Sequence, residues 1–151
     1  MAATLPLRSL DDAQRWLARL EASPSARAGG AWPLAAVLDH LAQGIEMSLE
    51  GYPRPRSPLF QRTVGRFAFG VFQRRGRMRH SLSEPIPGAP PLRDVADVAG
   101  GIHRLRTAIT RFEQHQGALQ PHFAYGLLDK SAYSQAHVLH IADHQREITG
   151  A

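Results

Sequence analysis

Along this chain, stretches in which apolar residues recur every three or four positions alternate with stretches dominated by proline and glycine. The first regular stretch predicts a helix over residues 9–22. Leu10, Ala13, Trp16, Leu17 and Leu20 keep helical spacing, Ser9 stands at the N-cap, and Asp11 and Asp12 occupy the first turn, where the helix dipole favours them. SPSARAGG ends it as a loop. A second helix is predicted over residues 33–50, with Pro33 suited to its first turn. Leu34, Val37, Leu38, Leu41, Ile45 and Leu49 give it a broad apolar stripe, and Gly51 and Pro53 close it.

GYPRPRSP is a connector, because proline donates no amide hydrogen and clashes with the preceding helical turn. A third helix follows over residues 59–74, carrying Phe60, Val64, Phe67, Ala68, Val71 and Phe72. Residues 76–92 hold Pro85, Pro87, Pro90 and Pro91 and read as a long irregular crossover, a length that compact domains reserve for functional loops. A fourth helix over residues 93–116 contains Val95, Val98, Ile102, Leu105, Ile109 and Phe112; Gly100 and Gly101 within it mark a weak point or a close-packing site. The turn-rich GALQPHFAYGLLDK leads to a last helix over residues 131–148, capped by Asp129 or Ser131. No segment alternates convincingly at strand period, and no repeat is present. The expectation is an all-α chain forming one domain over residues 1–151: a four-helix bundle with a short additional helix and a long proline-rich crossover loop.

Composition narrows the function classes. The hydrophobic fraction of 43% and charged fraction of 21% suit an ordinary globular domain. No apolar run approaches the roughly 18 residues a membrane span needs, and the first residues lack a basic-then-apolar leader, so a cytoplasmic protein with no membrane partner is expected. The absence of cysteine excludes disulfides, thiolate ligands and a cysteine nucleophile; any metal must be held by nitrogen and oxygen. A net charge of +5 raises nucleic acid as a partner. Arg74, Arg75, Arg77 and Arg79 cluster in QRRGRMRH and could contact phosphates or another anion. Without a recognisable motif or interleaved aromatics, nucleic acid is not the expected partner. The serines form no triad order with an elbow motif, and GRFAFG follows no strand, so it is not a phosphate loop.

The histidines carry the remaining chemistry. His137, His140 and His144 fall within eight residues on one face of the last helix. His140 and His144, at i and i+4, stack one above the other and can close on one divalent ion if another helix supplies a third ligand. His137 and His144 are two turns apart, roughly 10 Å, so His137 is expected beside the ion or lining a cavity. The alternative is a set of surface or helix-terminal imidazoles favoured by the dipole. His40, between Leu38 and Leu41, is the candidate third ligand or else a satisfied core histidine; Gly44, one turn on, leaves room beside its ring. Glu147, near His144, is a candidate orienting or proton-transferring carboxylate. His80 and His122 lie in irregular segments where each could face a pocket mouth, and Arg77 and Arg79 with His80 could receive an anionic substrate. His103 and His115 read as structural.

The helix carrying WPLAAVLDHLAQGIE and the last helix carrying HIADHQREI resemble the DinB-like metal-binding four-helix bundles. FQRTVGRFAFGVF, MRHSLSEPIPGAP and LQPHFAYGLLDKSAY extend the likeness over nearly the full length, to a bacterial branch described only as a domain of unknown function. The resemblance implies a divalent metal, nickel or zinc first and iron, manganese or cobalt next, on His40, His140 and His144. It differs at Asp143, where many relatives have another histidine, and at Gln145, Arg146 and Glu147. It further implies a metal-dependent transferase, isomerase or hydrolase activating a low-molecular-weight thiol or water for a small-molecule substrate, and a homodimer. The rival expectation is a non-catalytic, metal-stabilised bundle that binds a ligand or partner in stress response.

Overall fold

The computed structural model describes residues 6–93 and 97–151. Helix α1 (Leu10–Glu21) begins where expected, with Ser9 Oγ accepting the Asp12 amide at 3.1 Å. Helix α2 (Leu34–Glu50) is buried along nearly its whole length, with Pro33 at its N-cap. The third expected helix is interrupted. A short turn α3 (Pro58–Phe60) passes into a π-helical turn (Gln61–Gly65) before α4 (Arg66–Arg75). Helix α5 (Val98–Gln114) follows the crossover, capped by Asp97, and α6 (Lys130–Gln145) is capped by Asp129, whose Oδ1 accepts the Ala132 amide at 2.7 Å.

Two boundaries differ from the sequence reading, each for a local reason. The fourth helix starts at Val98 because the Asp97 carboxylate takes the Gly100 amide at 2.8 Å and fixes the start there; Val95 lies outside the described residues. The last helix stops at Gln145 instead of running to 148. Ile148–Thr149 (β2) pairs antiparallel with Arg27–Ala28 (β1), two residues each, below the length at which strand periodicity can be read.

The core joins α1, α2, α5 and α6. Leu17, Val37, Leu38, Leu105, Ile109 and Tyr133 are completely buried in it. Gly101 proves to be a close-packing position: a Cβ there would sit 3.0 Å from Leu38 Cβ, so the glycine lets α5 approach α2. The two helices also share a polar seam. Asp39, 1% exposed, accepts the Arg93 amide at 2.8 Å and Arg93 Nε at 3.1 Å and lies 3.4 Å from Arg104, which pairs with Glu46 at 2.7 Å. The far end of the crossover is thereby fixed beside His40. Gln43 Nε2 adds a bond to the Pro90 carbonyl at 2.9 Å, and Met78 and Ile86 are buried as apolar anchors.

The π turn coincides with a close backbone approach. The 122–126 turn, closed by reciprocal His122 and Gly126 amide–carbonyl bonds, presses Ala124 against Gly65 so that a Cβ there would overlap the Ala124 carbonyl oxygen. Because the obstruction is backbone, it cannot rotate aside. Gly65→Ala is expected to lower stability by about 1–3 kcal/mol, read as a shift in the urea midpoint; an unchanged midpoint would show that the turn yields freely. Outside this contact, Leu59, Val64, Phe67 and Leu127 leave their apolar side chains exposed.

Candidate metal centre

Four imidazoles converge between α2, α6 and the crossover. One ring nitrogen from each of His40, His80, His140 and His144 lies within 4.8 Å of every other. His40 and His140 approach most closely, Nε2 to Nε2 at 3.1 Å. Four nitrogens about 2.0–2.1 Å from one zinc ion in a tetrahedron stand roughly 3.3–3.4 Å apart. The closest pair is slightly tighter than that spacing, and no pair is wider than 4.8 Å.

The local structure explains how the rings come to face one another. His140 and His144 lie one turn apart on α6, and His40 faces them from α2, with ring centroids 4.9 and 5.1 Å away. Gly44 supplies the space: a Cβ there would stand 3.5 Å from His140 Nδ1. Trp32, just before α2, stacks near-parallel to His144 at 6.4 Å and tilts over His40 at 5.0 Å, covering this end of the cluster.

Two carboxylates orient two of the rings. His144 Nδ1 donates to Glu147 Oε1 at 3.0 Å, which leaves the Nε2 lone pair free on the opposite side. Glu147 gets there through the small sheet: Gly29 donates to its carbonyl at 2.8 Å, and Gly30 leaves space that any Cβ would take from its carboxylate. His80 Nδ1 lies 2.7 Å from Asp143 Oδ2, off the ideal N–H direction, and the same oxygen accepts the His80 amide at 3.2 Å. Asp143 is also paired with Arg146. Both ring nitrogens of His80 are buried with no hydrogen-bond partner, and so are His144 Nε2 and His40 Nδ1. An unpartnered buried polar atom costs about 1–3 kcal/mol, and a shared cation would offset that for the two Nε2 atoms.

Burial keeps the three helix-borne imidazoles neutral. It pushes His40 down to about 3 and His144 to about 4, and holds His140 well below the usual histidine range, with the neighbouring rings adding to each shift. Neutral imidazole is the metal-binding form. Burial raises the Glu147 carboxyl, with the Asp143 charge adding to it. Glu147→Ala is expected to weaken metal binding about 10–100-fold in a competition titration against a chelator, because the His144 ring loses its orienting acceptor.

A cavity of about 210 Å³ opens onto the cluster, reaching His40, His80 and His140. Tyr52, His122, Phe123 and Tyr125 form an aromatic wall, Met78 and Ile86 an apolar one, and Arg56 and Glu84 stand at the exposed rim. Tyr52 donates to the Gly44 carbonyl at 3.1 Å, and burial raises its hydroxyl well above the usual tyrosine range, so it acts as a neutral donor. His122 Nδ1 accepts the amides of Ala124 and Tyr125 at 3.1 and 3.2 Å, which places its proton on Nε2. His137 lines the cavity but turns away from the cluster. Ser48 Oγ donates to the Ile45 carbonyl at 2.6 Å, so His137 Nε2 is the donor to that oxygen at 3.2 Å.

The structure thus brings His40, His140, His144 and Glu147 together and puts His137 and His122 on the cavity wall. Arg77 and Arg79 do not line that cavity. Both are exposed and border a shallow depression beside Leu139, Ala142 and Arg146. His80, read from the sequence as a substrate contact, stands within the cluster itself. Sequence reasoning missed this because an irregular segment has no periodicity to aim a side chain. The one available signal was Asp143, the acid immediately before His144, which here faces His80.

Comparison with curated proteins and with solved structures returns no match. A family model described as a protein of unknown function, DUF1569, matches residues 1–151. The chain belongs to the DUF1569 family over its whole length.

Proposed function

We propose that this protein is a metal-dependent enzyme of the DinB-like kind, holding a divalent ion, nickel or zinc first, on His40, His140 and His144, with His80 as a further donor. The observation that carries catalysis over mere metal storage is the cavity of about 210 Å³, which ends on three of the four imidazoles. Such an ion would act as a Lewis acid that acidifies a water or a low-molecular-weight thiol. Arg56 at the rim could meet an anionic part of the substrate, and the apolar wall of Met78 and Ile86 its carbon skeleton. Glu147 accepts from His144 Nδ1 and would hold that ring with its Nε2 toward the ion.

One observation favours a second reading. Four histidines can fill every position of a tetrahedral ion, as structural sites usually do. In that case the ion stabilises a bundle that binds a small molecule or a partner. Protein purified without a histidine tag separates these readings in two steps. Elemental analysis is expected to find close to one divalent ion per chain, and none would end both. A panel of electrophiles offered with a low-molecular-weight thiol, or with water alone, then compares metal-loaded with stripped protein. Turnover that depends on the metal supports the enzyme; full occupancy without turnover across the panel favours the structural ion.

A further inference from the structure

The four histidines are not equivalent. His40, His140 and His144 project from helices whose backbones are locked in the core, and the side chain of His144 is fully buried. His80 projects from the irregular crossover, and its side chain is 28% exposed. It alone of the four has a second place to go. Its Nδ1 faces the Asp143 carboxylate at 2.7 Å, and that carboxylate is held independently by Arg146 and by the His80 amide. The cavity reaches the cluster on the side of His80, His40 and His140, while His144 is closed off beneath Trp32.

We infer that His80 is a displaceable fourth ligand, and that the molecule this centre takes is one with a single anionic donor atom, a thiolate or carboxylate on an apolar body, that replaces it. The inference rests on the metal-centre reading above. In the resting protein His80 Nε2 completes the donor set and keeps solvent from the ion. When the incoming donor arrives through the cavity, His80 gives up its place and stays attached to Asp143, while the three helix-borne histidines remain fixed. An anionic donor suits the exchange because three neutral imidazoles leave the charge of a divalent cation uncompensated. The apolar body suits the wall of Met78, Ile86 and Tyr125. Asp143 has a role in this scheme that a neutral histidine at its position could not fill: it accepts the His80 amide and places a carboxylate oxygen 2.7 Å from the His80 ring.

Cobalt(II) tests this without any assay of turnover, since its visible bands are intense when four-coordinate and weak when five- or six-coordinate. Wild-type protein and His80→Ala, each loaded with cobalt, are titrated with benzenethiolate and followed by the sulfur-to-cobalt charge-transfer band. The expected result is intense visible absorption in the wild type, markedly weaker absorption in His80→Ala, and half-saturation by thiolate at a concentration at least about tenfold lower in the variant. His80→Asn serves as a second variant, and circular dichroism of both confirms the helical fold. Superimposable cobalt spectra would show that His80 is not a ligand; equal thiolate affinity would show that it is not displaced. Failure of the wild type to bind cobalt would instead overturn the metal centre itself, and this inference with it.

Discussion

His140→Ala is expected to lower affinity for a divalent ion by more than about a hundredfold, beyond the 10–100-fold that loss of an orienting partner costs. His140 is the central donor of the cluster. Its Nε2 lies 3.1 Å from His40 Nε2, and its ring centroid is 5.1 Å from His144 and 4.9 Å from His80. Removing it takes away the closest partner of His40 and leaves His40 and His144 to share an ion with His80 alone, a donor carried on the irregular crossover. The control is His137→Ala, one turn earlier on the same helix. His137 spends its Nε2 proton on Ser48 and packs between Phe112 and Tyr133, at 4.9 and 5.3 Å. That variant should lose stability by about 2–4 kcal/mol as a buried side chain is truncated yet keep its metal. Competition with a chromophoric chelator reads the affinities, and urea denaturation reads the stabilities. Equal metal affinity in His140→Ala and the wild type would remove His140 from the site.

How much of this was legible in the chain depends on whether the information was local. The i,i+4 relation of His140 and His144 is fixed by helix geometry, and helix geometry is set by short-range pattern; so are the Ser9 and Asp129 caps. The small sheet was not legible, since Arg27–Ala28 and Ile148–Thr149 are too short for a period and meet only through the tertiary fold. That sheet matters to the site because it brings Glu147 back against His144 after the helix has ended. The π turn at Gln61–Gly65 likewise coincides with contact from a turn some sixty residues away. His80 is the clearest case. Its sequence neighbours, MRH and SLSEPIP, carry no period, and its direction is set by Asp143 on α6 and by the burial of Met78 and Ile86 on either side. Its role could be found only after the crossover was placed. Asp39 is similar: no local pattern marks it, yet it is a buried acid that fixes the other end of the same crossover through Arg93.

Metal-free protein is expected to lose stability steeply on mild acidification. His137 is buried and His122 half-buried on the cavity wall, both outside the cluster, and desolvation pushes both from 6.5 down to about 3. In the unfolded chain they titrate near their ordinary value of about 6.5. Above that pH both states carry neutral rings, and these groups contribute no pH dependence. Below it the unfolded chain takes up protons that the folded protein refuses until about pH 3, so stability falls as pH falls through this window. Each ring contributes up to about 1.4 kcal/mol per pH unit, which for the two together amounts to roughly 4 kcal/mol between pH 7 and pH 5. That is comparable to the whole stability of a marginal domain, about 5 kcal/mol. The cluster rings His40 and His144 shift in the same direction and steepen the loss. Urea denaturation of stripped protein at pH 7, 6 and 5 measures the slope. His137→Gln keeps a donor for Ser48 Oγ but cannot titrate, so it should remove about 2 kcal/mol of the fall. A stability that stays flat from pH 7 to pH 5 would mean that the buried rings gain protons in the folded state as readily as in the unfolded one. The His137 imidazolium, still donating through Nε2 to Ser48, would then have to be accommodated as a charge inside the core, between Phe112 and Tyr133.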